Sequence, residues 1–136
     1  MVFFDVNYTA VVAASVASMI IGFIWFHPSV MGTKWMKLSG MKVAGKKKEG
    51  MGQMMLLAFI ATLVSAYVLA YVVQLWGAAT YVQGATAGFW VWLGFVATTQ
   101  YGAVLWEKKS NELFLLNAAH QLVSFAVMGA ILAAWL

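Results

Sequence analysis

The sequence predicts an all-α fold: a four-helix transmembrane bundle with a short amphipathic interfacial segment in its first loop. Three observations predict it. Four apolar stretches, at about 7–26, 52–76, 83–106 and 112–135, are long enough to cross a hydrocarbon core near 30 Å thick at about 1.5 Å per residue. Only 9% of the 136 residues are charged and 64% are hydrophobic. A water-soluble domain carries roughly 25% charged residues, so most of this surface must face lipid. The basic residues are all lysines, eight in number, and six of them fall between Lys34 and Lys48, in one loop. The length suits a single integral membrane domain over 1–136.

The first span is expected to start at Asn7, whose side chain can accept from a free amide of the first turn. Ala10, Ala14, Ser18 and Gly22 recur every four residues and share one face, a spacing that lets another helix approach closely. Asp5 and the absence of an early lysine argue against a cleavable signal peptide. His27-Pro28 closes the span, because proline biases the residue before it away from helical geometry. Trp25 and Trp35 flank this point as interface anchors.

The linker from Ser29 to Gly50 is punctuated by glycines. A short helix from about Thr33 to Leu38 would bury Trp35 while Lys34, Lys37 and Lys42 reach anionic headgroups. Lys46, Lys47 and Lys48 form a charged tip. This basicity belongs to one loop beside a membrane, so it reads as an orientation signal and lipid contact rather than nucleic-acid binding.

The second span carries Ala58, Thr62, Ala66 and Ala70 on one face. The turn from Gly77 to Val82 is short and makes spans two and three antiparallel neighbours. In the third span Gly84 and Gly88 form one close-packing pair, and Gly94, Thr98 and Gly102 form a second row. A charged connection over 107–112 follows, in which Ser110 or Asn111 caps the fourth span and Glu112 suits its positive end. Ala126, Ala130 and Ala134 again recur four apart, and Trp135 is expected at the opposite interface.

Four spans put both termini on one side. The loops after spans one and three hold all eight lysines and the opposite side holds none. Positive residues favour the cytoplasmic face, so the lysine-rich loop is expected to be cytoplasmic and both termini outside, as in a multi-pass protein of a cell inner membrane.

One polar layer stands out. His120 lies about 12 Å into the fourth span, with Asn117, Gln121 and Ser124 near its side. Thr98, Thr99 and Gln100 on the third span and Thr62 on the second reach similar depth. Either these groups satisfy one another and set helix registry, or they line a site for a proton, ion or small polar solute with His120, of reference pKa near 6.5, as the titrating group. No catalytic residue, cofactor site or metal site is indicated. The chain has two histidines and no cysteine, and it lacks an HExxH motif, a GxSxG elbow and a phosphate-binding glycine loop.

The residues Asn7-Tyr8, Gly22 through Pro28, Gly32, Trp35, Trp92 through Val96, Thr98-Thr99, Asn117 through Gln121, Gly129 and Trp135 together resemble the DUF1761 family of small membrane proteins. The spacing of Trp25, Pro28, Gly32 and Trp35 is the most specific element. The resemblance implies a four-span membrane protein and supplies no activity. It also implies that tyrosine is common where this chain has His120, which favours a hydrogen-bonding role there over a catalytic one. The expected function is therefore a self-associating packing or interaction module, a homo-oligomer embedded among membrane lipids. The alternative is a channel or transporter for a proton, small cation or small polar solute through the polar layer.

Overall fold

The computed structural model describes residues 6–39 and 51–135. Lys42, Lys46, Lys47 and Lys48 lie outside the described residues, so the structure bears only on Lys34 and Lys37 among the headgroup lysines of the first loop. Every described element is helical.

Helix α1 spans Tyr8–Trp25, and the Asn7 carboxamide oxygen accepts from the Ala10 amide at 3.1 Å. Beyond Phe26 the chain makes a π-helical turn, Pro28–Gly32, in which the His27 carbonyl accepts from Val30 at 2.9 Å and from Gly32 at 3.0 Å. A Cβ on Gly32 would press into the Phe26 and His27 backbone, 2.9 Å from the His27 carbonyl carbon, so glycine alone permits this close approach. Helix α2, Thr33–Ser39, then runs one residue beyond the expected interfacial segment.

Helix α3 spans Met51–Trp76 and α4 spans Tyr81–Val91, the latter capped by the Thr80 hydroxyl on the Gln83 amide at 3.2 Å. The expected third span is not one uninterrupted α-helix. A π-helical turn occupies Trp92–Ala97, and two short helices follow, α5 over Thr98–Gln100 and α6 over Gly102–Trp106. The backbone stays right-handed through these joints (Trp92 at φ −57, ψ −48 and Thr98 at φ −64, ψ −42), so the helical path continues without reversing. The indole of Trp92 donates to the Ala118 carbonyl at 2.8 Å, which ties the widened turn to its neighbour. Helix α7, Asn111–Ala134, is capped by the Ser110 hydroxyl on Leu113 at 3.1 Å, so of the two expected caps it is Ser110 that serves.

Three of these helices are long and apolar enough to cross a membrane: α1 at mean hydropathy 1.8, α3 from Gly52 at 2.4 and α7 at 1.6. Their most apolar windows are only 22%, 22% and 39% buried inside the protein. Side chains such as Leu56, Leu57, Val64 and Phe95 lie on the outside. Apolar surface on this scale is stable when lipid covers it, and the protein is a multi-pass membrane protein.

Helix α7 is the hub, packed against α1, α3 and α4. The Asn7 side-chain amide donates to the Trp135 carbonyl at 3.4 Å, so the start of α1 meets the end of α7. This is called the terminal end below. At the other end, the loop end, Lys34 of α2 approaches Glu112 of α7 at 4.0 Å, an exposed pair. The core occupies the terminal half. Ala10 and Ala14, Ala66, Leu69, Ala70 and Val73, Ala87, and Met128, Leu132 and Ala133 form one buried cluster.

Small residues set the closest contact. Ala87, Gly84 and Gly88 of α4 are buried against α7. A Cβ on Gly84 would lie 2.6 Å from the Ala133 Cβ, and one on Gly88 would lie 2.8 Å from the Phe125 carbonyl carbon. A Cβ on Gly129 would lie 3.0 Å from the Gly84 carbonyl carbon. Backbone meets backbone here, the geometry that small residues four apart allow. The second expected row behaves differently. A Cβ on Gly94 would meet nothing within 4 Å, and Thr98 is exposed.

Candidate functional site

The loop-end half is built on another principle. Along α3 the small-residue row of the sequence diverges: Ala66 and Ala70 are buried and Thr62 is half-buried, whereas Ala58 is exposed. The first half of α3 therefore stands away from the bundle. The space it leaves is a wedge of about 610 Å³ between α1, α3 and α7. A second cavity of about 350 Å³ lies between the end of α1, the α5–α6 region and the first half of α7. Phe26, His120 and Gln121 line both and form the wall between them.

The smaller cavity is the more polar of the two. Thr99, Gln100, Asn117, His120 and Gln121 line it, with Glu107 and Lys109 among its lining residues. Both charged side chains are exposed and belong to the connection that precedes α7. Among the described residues, no side-chain hydrogen bond joins Asn117, His120 or Gln121 to another member of this set. The Gln100 Oε1 and His120 Nε2 atoms are buried and have no partner, and the same holds for Trp25 Nε1. A buried polar group left unpaired costs on the order of 1–3 kcal/mol. Among the described residues these three atoms all lie in the loop-end half.

Aromatic rings surround His120. The Phe26 ring meets it edge to face at 4.9 Å between centroids, and the Trp25 ring lies at 6.1 Å. Phe26 in turn meets Trp35 edge to face at 5.6 Å. The indole nitrogen of Trp25 is buried, and its ring lies beside His120. Trp35 is half-buried against Phe26, so α2 is pinned to the bundle through an aromatic contact. Gly22 makes room for the imidazole: a Cβ there would sit 3.5 Å from Nε2.

The wedge has mainly apolar walls, including Met19, Met54, Met55 and Phe125, and a hydroxyl-bearing deep end at Ser18, Thr62, Ser65 and Ser124. Ser18 and Ser124 hydrogen-bond to each other through their hydroxyls. The Thr62 hydroxyl donates back to the Ala58 carbonyl at 2.8 Å.

The single polar layer of the sequence is thus distributed. Thr99, Gln100, Asn117, His120 and Gln121 share the polar cavity, while Thr62, Ser124, His120 and Gln121 share the wedge. Thr98 lines neither: its hydroxyl donates to the Gly94 carbonyl at 2.8 Å on an exposed face. Thr99 also donates within its own helical path, to Phe95 at 2.8 Å. Sequence reasoning missed Ser65, whose position four residues from Ala61 and three from Thr62 could have placed it on the wedge face. It missed the buried indole nitrogen of Trp25 as well. Among the described residues, no group of three or more His, Asp or Glu could hold a metal ion.

Among known proteins, the family described as "Protein of unknown function (DUF1761)" matches residues 9–133. No curated protein and no solved structure matches the chain.

Proposed function

The chain belongs to the DUF1761 family, and we propose that it is a four-span membrane protein that admits a small, uncharged polar solute to its loop-end half. The helical path from α4 to α6 serves as the remaining span. It runs antiparallel to α7, from the Gly84–Gly129 contact through Trp92–Ala118 to the ring pair Tyr101–Phe114. Its 26 residues, Tyr81 to Trp106, correspond to about 39 Å at the helical rise. The described lysines, Lys34, Lys37, Lys108 and Lys109, all belong to the two connections at the loop end, which supports a cytoplasmic loop end and termini outside.

One observation carries the solute reading. Gln100, Asn117, His120 and Gln121 line a common cavity without hydrogen-bonding to one another among the described residues, and the buried Gln100 Oε1 and His120 Nε2 have no partner. A registry-setting network would be mutually bonded, since unpaired polar groups in a membrane interior are costly. The deeper lining offers amides, a hydroxyl and an imidazole, and among the described lining residues the charged groups are Glu107 and Lys109. Burying an ion without a counter-charge is expensive, so this lining favours a neutral solute over a cation. Among the described residues the core of the terminal half is built of alanine, valine, leucine and methionine side chains, which supports binding without passage of a polar solute through a single copy.

The chain has no native cysteine, so single cysteines report access directly. With Asn117→Cys in proteoliposomes, a charged, membrane-impermeant thiol reagent should label from the loop side only, and Ala70→Cys should resist it. An unlabelled Asn117→Cys in folded protein would sink the proposal. Glycerol and urea flux should stay at the level of empty liposomes.

Self-association is a second reading. It is favoured by the outward position of Gly94 and Thr98, a small-residue face without a partner inside one copy. Gly94→Cys should then form a disulfide-linked dimer in the bilayer on oxidation.

A further inference from the structure

The wedge between α1, α3 and α7 is a separate cavity whose chemistry differs from that of the polar one. Four methionines and three phenylalanines contribute to its lining, with no charged side chain among the described residues. Methionine and aromatic walls adapt to an apolar or planar guest. Neither a phosphate nor an ammonium group would find a counter-charge there.

The hydroxyls of the wedge lie at its deep end, away from the headgroup level, whereas His120 and Gln121 line it nearer the loop end. Ser18 stands four residues before Gly22 on α1, and Ser65 stands eleven residues after Met54 on α3. An ordinary phospholipid would send its apolar chain to that depth and meet hydroxyls. The better match is a guest whose own hydrogen-bonding group goes deep.

The hydroxyl protons define that group further. Ser18 and Ser124 carry two O–H donors, and the bond between them uses one. Thr62 donates to its own helix. The serine pair therefore keeps one uncommitted donor, suited to an acceptor oxygen. The exposed first half of α3, with Ala58 and Ala61 on the wedge rim, leaves the cavity open to the surrounding lipid.

We infer that the wedge is a lateral binding site for an uncharged, bilayer-soluble molecule bearing a carbonyl or ether oxygen, with that oxygen at the Ser18–Ser124 pair and its apolar body against the methionine and phenylalanine walls. The site is distinct from the polar cavity, so its failure leaves the solute reading standing, and failure of cysteine labelling at Asn117 leaves this one standing.

The test uses two probes of one shape. Duroquinone carries two carbonyl oxygens on a tetramethyl ring, and durene is the same ring without them. Binding to the full chain in proteoliposomes is measured by calorimetry, with protein-free liposomes subtracted. Duroquinone should bind saturably and at least tenfold more tightly than durene. Ala58→Trp, at an exposed position that tolerates bulk, should fill the wedge and abolish saturable binding. The double change Ser18→Ala and Ser124→Ala should lower duroquinone affinity toward that of durene and leave durene unchanged. Equal affinity for the two probes, or duroquinone binding that survives Ala58→Trp, would overturn the inference.

Discussion

The two ends of this bundle solve the same problem in opposite ways. At the terminal end, α4 and α7 approach until backbone touches backbone at Gly84, Gly88 and Gly129, and the core of alanines closed by Leu69, Val73 and Met128 is nearly free of polar groups. Its buried hydroxyl, Ser15, returns its proton to the Val11 carbonyl at 2.8 Å. At the loop end the helices separate, two cavities open, and three buried polar atoms among the described residues stand unpaired. Lipid solvates both ends alike, so the hydrophobic effect does not distinguish them. The difference lies in side-chain size: small residues on both partners permit contact, whereas Phe26, Trp25 and His120 hold the helices apart.

The contrast can be broken most sharply at the helix crossing. Gly129→Leu should lose about 3 kcal/mol or more, because its Cβ alone would collide with the Gly84 backbone. Reversible unfolding in mixed micelles measures the loss. Gly94→Leu, which meets open space, should cost under about 1 kcal/mol in the same assay. Similar losses at both glycines would refute the assignment of the tight contact to α4 and α7.

Next in size is the core where it meets the wedge. Met128→Ala, at a residue 2% exposed, should destabilise by roughly 2–3 kcal/mol through the void it leaves. The loop end should answer with the opposite sign. His120→Phe keeps the ring contacts with Phe26 and Trp25 while removing an unpaired nitrogen, so stability should hold or rise by about 1 kcal/mol. A loss comparable to that of Met128→Ala would mean that the imidazole makes structural bonds, and the registry reading would return.

Smaller effects sharpen the picture. Trp92→Phe removes the bond to Ala118 and should cost about 1 kcal/mol, with the π-helical turn loosening first in hydrogen exchange. Lys34→Gln should shift stability by only a few tenths of a kcal/mol, since its pairing with Glu112 is exposed. A salt-dependent loss much larger than that would indicate that α2 is held by charge rather than by the Phe26–Trp35 ring contact.

Much of this architecture was legible in the residues. Asn7, Ser110 and the His27-Pro28 break mark where α1 and α7 begin and where α1 ends, because caps and proline act locally. The Gly84 and Gly88 pair announced a close contact. What stayed hidden were facts that depend on which faces meet. Gly94, Thr98 and Gly102 share the spacing of the first pair, yet Gly94 and Thr98 face outward, because a row of small residues permits a contact without naming the partner. The polar layer was visible as depths along helices, and depth alone did not separate Thr98 on the outer face from Asn117 in a cavity.

The sequence by itself determined that this is a helical, multi-pass membrane protein with a basic first loop. Those properties follow from length, hydropathy and charge counted along one dimension. Only the tertiary structure decided that the third apolar stretch is divided at a π-helical turn, that one half of the bundle closes while the other opens, and that His120 stands between two cavities. The physical reason is that helix packing in lipid is set by the shapes of facing surfaces. That facing is a relation between distant segments, and no local pattern encodes it.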